Sequence, residues 1–196
     1  MPEPIPDWVF PPPEGFSADG FLRMTHLPPH TELIDGGLVF VAPQTKWHSG
    51  TVDHFRVELD SQAPEGWRGD RDMALKIGAR QVPEPDVLVV REAAFLAPEP
   101  ETYYLPEDVL LVAEAVTPAS QDRDRETKPG KYSRAGIAHF WRIEEAGGDS
   151  AVVYAYELDP ATRSYGVAGI HRDRIKVSSP FPIDIDLTEI RRRRAR

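Results

Sequence analysis

One ionisable residue, Glu114, stands inside the otherwise apolar run from Val109 to Val116. A lone carboxylate among Leu110, Leu111, Val112 and Val116 is costly to bury unless something neutralises it. Either the position faces water at a sheet edge, or a cation meets it. Asp86 follows Pro85 and opens the preceding apolar run, Val87-Leu88-Val89-Val90. Alone, Pro-Asp is an ordinary turn pair; on neighbouring strands the two acids could share one divalent cation. Soon after Glu114, Asp124, Lys128 and Tyr132 repeat at a spacing of four, which puts them on one face of a helix. That face reads either as a solvated surface with an Asp124 to Lys128 ion pair worth under about 1 kcal/mol, or as the source of an amine beside the two acids. Two carboxylates, a cation and a lysine are the parts needed for metal-assisted hydrolysis of a phosphodiester. The carboxylates hold the ion, the ion lowers the pKa of a water, and the lysine orients the nucleophile or offsets phosphate charge.

The elements that must position these residues are legible in outline. Ser17 can cap a short helix through Phe21, Leu22 and Met24, ahead of the stop at Pro28. TELI and LVFVAP flank Asp35-Gly36-Gly37 and read as a hairpin. Trp47, Val52, Phe55 and Leu59 recur at helical spacing, so residues 45–62 read as an amphipathic helix ended by Pro64 and Gly66. MALKI, PDVLVV and VLLVAEAV read as strands, the last two as central ones because they are apolar without alternation. Residues 120–136 read as a helix closing on Ala135-Gly136. The ring of Pro129 disfavours α geometry at Lys128, which would start the helix at Pro129 and set the ammonium at a helix N-terminus. AHFWRIE, AVVYAYEL, YGVAGIH and IKVS read as further strands, and DLTEIRRRR as a terminal helix capped near Asp186 or Thr188.

Composition narrows the classes. The 196 residues suit one domain, and 40% apolar with 28% charged residues excludes fibrous and fully disordered chains. Absence of cysteine excludes disulfides, thiolate metal sites and cysteine nucleophiles, so any metal takes oxygen or imidazole. The formal charge of −9 would be more negative still without the arginines of the tail RRRRAR, which reads as a solvated end. So acidic a body repels polyphosphate at long range, which argues against general coating of nucleic acid. No apolar run is long enough to span a bilayer and the start lacks the pattern of a signal peptide, so the expected location is cytoplasmic, without membrane. There is no P-loop, GxSxG, HExxH or zinc-ligand spacing. His26 and His30 are separated by Pro28 and Pro29 and read as loop residues, and Trp141 reads as core packing.

The segments PDVLVV, VLLVAEAVTPAS and DRETKPGKYSRAGIAHFWRIE, with TELIDGGLVFVAP and His48 upstream and YELDP and PFPIDIDLTEI downstream, resemble the Uma family of proposed endonucleases. That family falls in the PD-(D/E)XK restriction-endonuclease-like superfamily, and the resemblance is to its form common among actinobacteria. It covers about residues 17 to 190. It implies that Asp86 is the PD aspartate, Glu114 the second acid and Lys128 the catalytic lysine, with Lys131 as a substitute. The superfamily's simplest form places that lysine two residues after the glutamate, where this chain has Val116, so the resemblance implies an amine supplied from the following helix. Glu32 and His48 match an acid before the ID-G turn and a histidine after the hairpin. With Asp124 and Tyr132 they form a second tier, for which structural and chemical roles stay open.

The expectation is therefore an α/β restriction-endonuclease-like core, a central mixed β-sheet flanked by α-helices, with an N-terminal hairpin and extra antiparallel strands. Its parts are a Pro-rich arm over 1–16, the domain over 17–190 and the Arg-rich tail over 191–196. The expected activity is metal-dependent cleavage of nucleic acid, DNA ahead of RNA, with Mg²⁺ or Mn²⁺ held by Asp86 and Glu114. The alternatives are a binding or assembly module on the same fold and hydrolysis of another phosphate ester. AVVYAYEL is the candidate for a homodimer interface.

Overall fold

The computed structural model describes residues 10–147 and 150–190. Ser17 caps α1 (Ala18–Leu22) by accepting the N–H of Gly20 at 3.1 Å. Strands β1 (Glu32–Ile34) and β2 (Gly37–Val39) form the expected hairpin. Its turn rests on Asp35 and Gly36, both at positive φ (53° and 83°), the geometry for which Asp-Gly is suited. Helix α2 (Lys46–Gln62) starts at Thr45, whose hydroxyl accepts the N–H of His48, and buries Trp47, Val52, Phe55 and Leu59 as the spacing predicts. There follow β3 (Trp67–Arg71), β4 (Ala74–Leu75), β5 (Val87–Arg91), α3 (Glu92–Phe95), β6 (Tyr103–Tyr104), β7 (Val109–Val116), α4 (Lys128–Ala135), β8 (His139–Glu145), β9 (Ala151–Asp159), β10 (Ser164–His171), β11 (Arg174–Val177) and β12 (Ile183–Asp186).

Six strands form one mixed sheet in the order β10-β9-β8-β7-β5-β3, parallel only between β7 and β8 and antiparallel elsewhere. The parallel pair requires a crossover, and the helical segment ending in α4 supplies it. Strands β5 and β7 are central, as their unbroken apolar runs predict. Alternation sends Val87, Val89, Leu111 and Ala113 toward α2 and β12, and Leu88 and Val112 toward Tyr132 of α4. Trp141 is buried and meets Phe55 edge-to-face, so it packs the core.

Several expectations are corrected. MALKI shrinks to the two-residue β4, which pairs in parallel with β6. Strands β3 and β12 and the short α3 lie where no element is expected. Strand β9 is paired with both β8 and β10, so a second copy meeting AVVYAYEL would have to use a face of the sheet and not a strand edge. The terminal helix does begin, with Asp186 Oδ1 accepting the N–H and hydroxyl of Thr188 at 2.8 and 2.6 Å and residues 188–190 helical. Its continuation, the Arg-rich segment 191–196 and residues 1–9 of the Pro-rich arm lie outside the described residues. No helix among the described residues is long and apolar enough to cross a membrane.

Gly69 fixes how closely α2 packs on the sheet. A Cβ there would lie 2.7 Å from Asp60 N and 2.9 Å from Arg56 O, both helix backbone atoms. Asp60 Oδ1 accepts the Gly69 N–H at 3.0 Å, which holds the approach. Gly69→Ala is expected to cost about 1–3 kcal/mol through overpacking; an unchanged denaturation midpoint would show that α2 can back away freely.

Candidate active site

Strand register assembles the acids. Asp70, Leu88 and Val112 lie side by side on β3, β5 and β7. Two residues further toward one end of the sheet, the same alternation gives Asp72, Asp86 and Glu114. The Asp72 N–H donates to Asp86 O at 3.4 Å, extending the β3–β5 ladder by one bond. Asp86 Oδ2 reaches across to accept the N–H of Ala115 at 2.7 Å, and Asp86 Oδ1 sits 3.1 Å from His48 Nε2 at the start of α2. Asp86 and Glu114 line one cleft of about 630 Å³.

Lys128 meets Glu114 from the crossover. Its Nζ lies 2.9 Å from Glu32 Oε1, 3.1 Å from Glu114 Oε1 and 3.5 Å from Asp124 Oδ1. Tyr132 OH donates to the same Glu114 oxygen at 2.5 Å. The spacing of four thus delivers Asp124, Lys128 and Tyr132 to one point. Lys131 turns the other way, bonding both carboxylate oxygens of Asp35 at 2.8 Å in the hairpin turn. Val116, two residues after Glu114, is a buried strand residue.

The expected helix start at Pro129 is not observed. The backbone is helical from Gln121 to Ala135, and Lys128 has ordinary α geometry at φ −64°, ψ −41°. Pro129 is accommodated because residues Arg123–Thr127 form a π turn in which the Lys128 N–H reaches back to Arg123 O. The wider turn leaves the missing N–H of the proline and its ring less disruptive than in a regular α-helix. Lys128 therefore sits inside a continuous helical run, and a free N-terminus beside it contributes nothing.

Burial governs the electrostatics. Glu114 is 1% exposed, and desolvation pushes its pKa well above the ordinary carboxylate value; Lys128 opposes this, while Asp124, Asp86 and Glu32 add to it. Burial works against the Lys128 ammonium, but Glu114, Glu32, Asp124 and Asp86 outweigh it and hold its pKa well above the usual lysine value. Desolvation likewise raises Asp124 and Tyr132. For His48 burial acts downward, and the bond and charge of Asp86 prevail to carry it upward. The arrangement is a buried cation caged by acids, next to an acid pair that could hold a further cation.

His30, Asp72 and Glu84 also line the cleft, and sequence reasoning missed all three as site residues. Pro28 and Pro29 place His30 in a loop, which is where it lies. Its partner Glu84, with Nδ1 to Oε1 at 2.6 Å, stands two residues before Asp86 in PEPD, the only local signal available.

A mixed sheet whose central antiparallel pair carries one acid just ahead of its first strand and another within its second, followed by a crossover that brings a lysine to them, is a restriction-endonuclease-like fold. The Uma2 family, described as "Putative restriction endonuclease", matches residues 18–188, and the chain belongs to that family. The crystal structure of "a putative nuclease belonging to DUF820" from Anabaena variabilis ATCC 29413 is similar, with a TM-score of 0.67 and 15% identity over 90% of this chain and 98% of that one. At that identity the likeness speaks for the fold alone. No curated protein matches the sequence.

Proposed function

We propose that this protein is a metal-dependent endonuclease that hydrolyses nucleic-acid phosphodiesters in the cleft. The observation that carries the reading is the meeting of Asp86, Glu114 and Lys128 in one cavity from two strands and a crossover helix. The donor set fits a hard divalent ion such as Mg²⁺ or Mn²⁺, because Asp86 and Glu114 offer carboxylate oxygens. Buried Asp124 adds negative charge beside them, its Oδ1 facing the Lys128 ammonium at 3.5 Å, which Glu32 and Glu114 share. When bound, the ion supplies a water of lowered pKa and offsets charge on the phosphate. Lys128 orients the attacking water or the phosphate, held in place by Glu32 and Asp124. Tyr132 fixes the carboxylate of Glu114, and His48 that of Asp86. The family description supports a nucleic-acid substrate, and restriction is an activity on DNA, so DNA stands ahead of RNA.

The test is incubation of the purified chain with duplex and single-stranded DNA and with RNA, with Mg²⁺ or Mn²⁺. Cleavage is expected, falling by about 100-fold or more in Glu114→Gln and Asp86→Asn. Equal cleavage by native chain and variants would assign the activity elsewhere. No cleavage of any form would favour the binding or assembly role.

A further inference from the structure

His30, Asp72 and Glu84 converge from three separate segments: the loop before β1, the end of β3 and the loop before β5. One donor atom from each lies within 4.8 Å of the other two. We propose that they form a second divalent-cation site, at the mouth of the cleft, which takes a transition ion such as Mn²⁺ or Zn²⁺ ahead of Mg²⁺. The proposal goes beyond the nuclease reading and stands on different residues.

The trio is held from outside itself. Glu84 N–H donates to Glu32 Oε1 at 2.8 Å, and Asp72 N–H to the backbone of Asp86. His30 and Asp72 are two of the four non-glycine residues with positive φ among those described, at 59° and 53°. Such backbone is retained where surrounding contacts fix it.

Charge is the second argument. Six carboxylates line the cleft against three lysine and arginine side chains. One of those three, Arg71, is already engaged by Asp53 at 2.9 Å as well as by Asp72 at 3.5 Å. A single divalent ion between Asp86 and Glu114 leaves Asp72 to that shared Arg71 and Glu84 to His30 at 2.6 Å. On the inner side of the same cleft Asp124 Oδ1 makes no hydrogen bond, and its counter-charge is the Lys128 ammonium at 3.5 Å, which Glu32 and Glu114 hold more closely. The third argument is ligand type. Mg²⁺ prefers oxygen and keeps its waters, whereas imidazole suits transition ions. His30 Nδ1, now 2.6 Å from Glu84 Oε1, supplies that nitrogen.

Bound Mn²⁺ counted by electron paramagnetic resonance, with nitrogen coupling read from the same samples, tests the site. Two ions per native chain are expected. His30→Ala and Asp72→Asn should each weaken one of them by about tenfold or more, the histidine variant with loss of a nitrogen coupling. Asp86→Asn should weaken the other, and Mg²⁺ should displace that inner ion first. His30 is exposed, so its replacement leaves the fold intact. A single native ion that is lost in Asp86→Asn and kept in His30→Ala would overturn the outer site and leave the nuclease reading standing. An ion lost only in His30→Ala would do the reverse, and no bound ion would overturn both.

Discussion

Lys128→Ala is expected to abolish cleavage and also to cost about 3–5 kcal/mol of stability, the range for removing one partner of a buried ion pair. Spacing alone suggests a surface amine whose loss would be mild. The structure instead places the ammonium at 5% exposure among Glu32, Glu114 and Asp124. Removing it leaves three buried acids facing one another, each of which must then take up a proton or draw in water. Lys131→Ala is the control. Its partner Asp35 has a side chain 69% exposed, so that pair is worth under about 1 kcal/mol, and cleavage should persist. Urea denaturation at neutral pH beside the nuclease assay separates the two lysines. Equal stability losses would mean that the acids around Lys128 are neutralised some other way.

Glu114→Gln should have the opposite effect on the metal-free protein, stabilising it increasingly as pH rises. The carboxyl of Glu114 has its folded pKa raised by burial above the ordinary value of 4.5. Its stabilising contribution is therefore complete below that value and lost as pH climbs through the raised one. Gln cannot ionise, so the variant escapes this loss while still accepting the Tyr132 hydroxyl. Metal reverses the order. Mn²⁺ at 100 times its dissociation constant should stabilise the native chain by about 2.7 kcal/mol, and the variant by far less. Melting curves with and without Mn²⁺ across the window above pH 4.5 would show both. A constant native-to-variant difference at every pH would mean that Glu114 is not the group titrating.

What could be read in advance follows from where each signal resides. Glu114 was legible because an acid in an apolar run is anomalous by itself, and Asp124, Lys128 and Tyr132 because helical period is local. The assignment of Lys128 over Lys131 came from the family resemblance, and the geometry now gives it a physical basis in their different partners. The π turn was not legible, since a proline in a helical pattern signals only a break, and whether the chain widens or stops depends on tertiary packing. His30, Asp72 and Glu84 were invisible as a group because 54 residues separate the histidine from Glu84. Only the register of β3 against β5 brings Asp72 beside Asp86. Strands β3 and β12, WRGDR and IDID, carry too many charges to announce themselves without the sheet and hairpin they complete.

The N-terminal hairpin is not a member of the six-stranded sheet, and two strands alone are marginal in water. It is clasped to the body at both ends of β1 by lysines one helical turn apart, Lys128 on Glu32 and Lys131 on Asp35. Leu33 supplies the apolar grip between them, paired with Val82. Docking of the hairpin and completion of the acid cage thus share Lys128, beside the backbone bonds that join Leu33 to Val82 and Gly36 to Arg80. Any ligand that competes for the Lys128 ammonium loosens the clasp, so the charges that build the site also set how tightly its wall is shut.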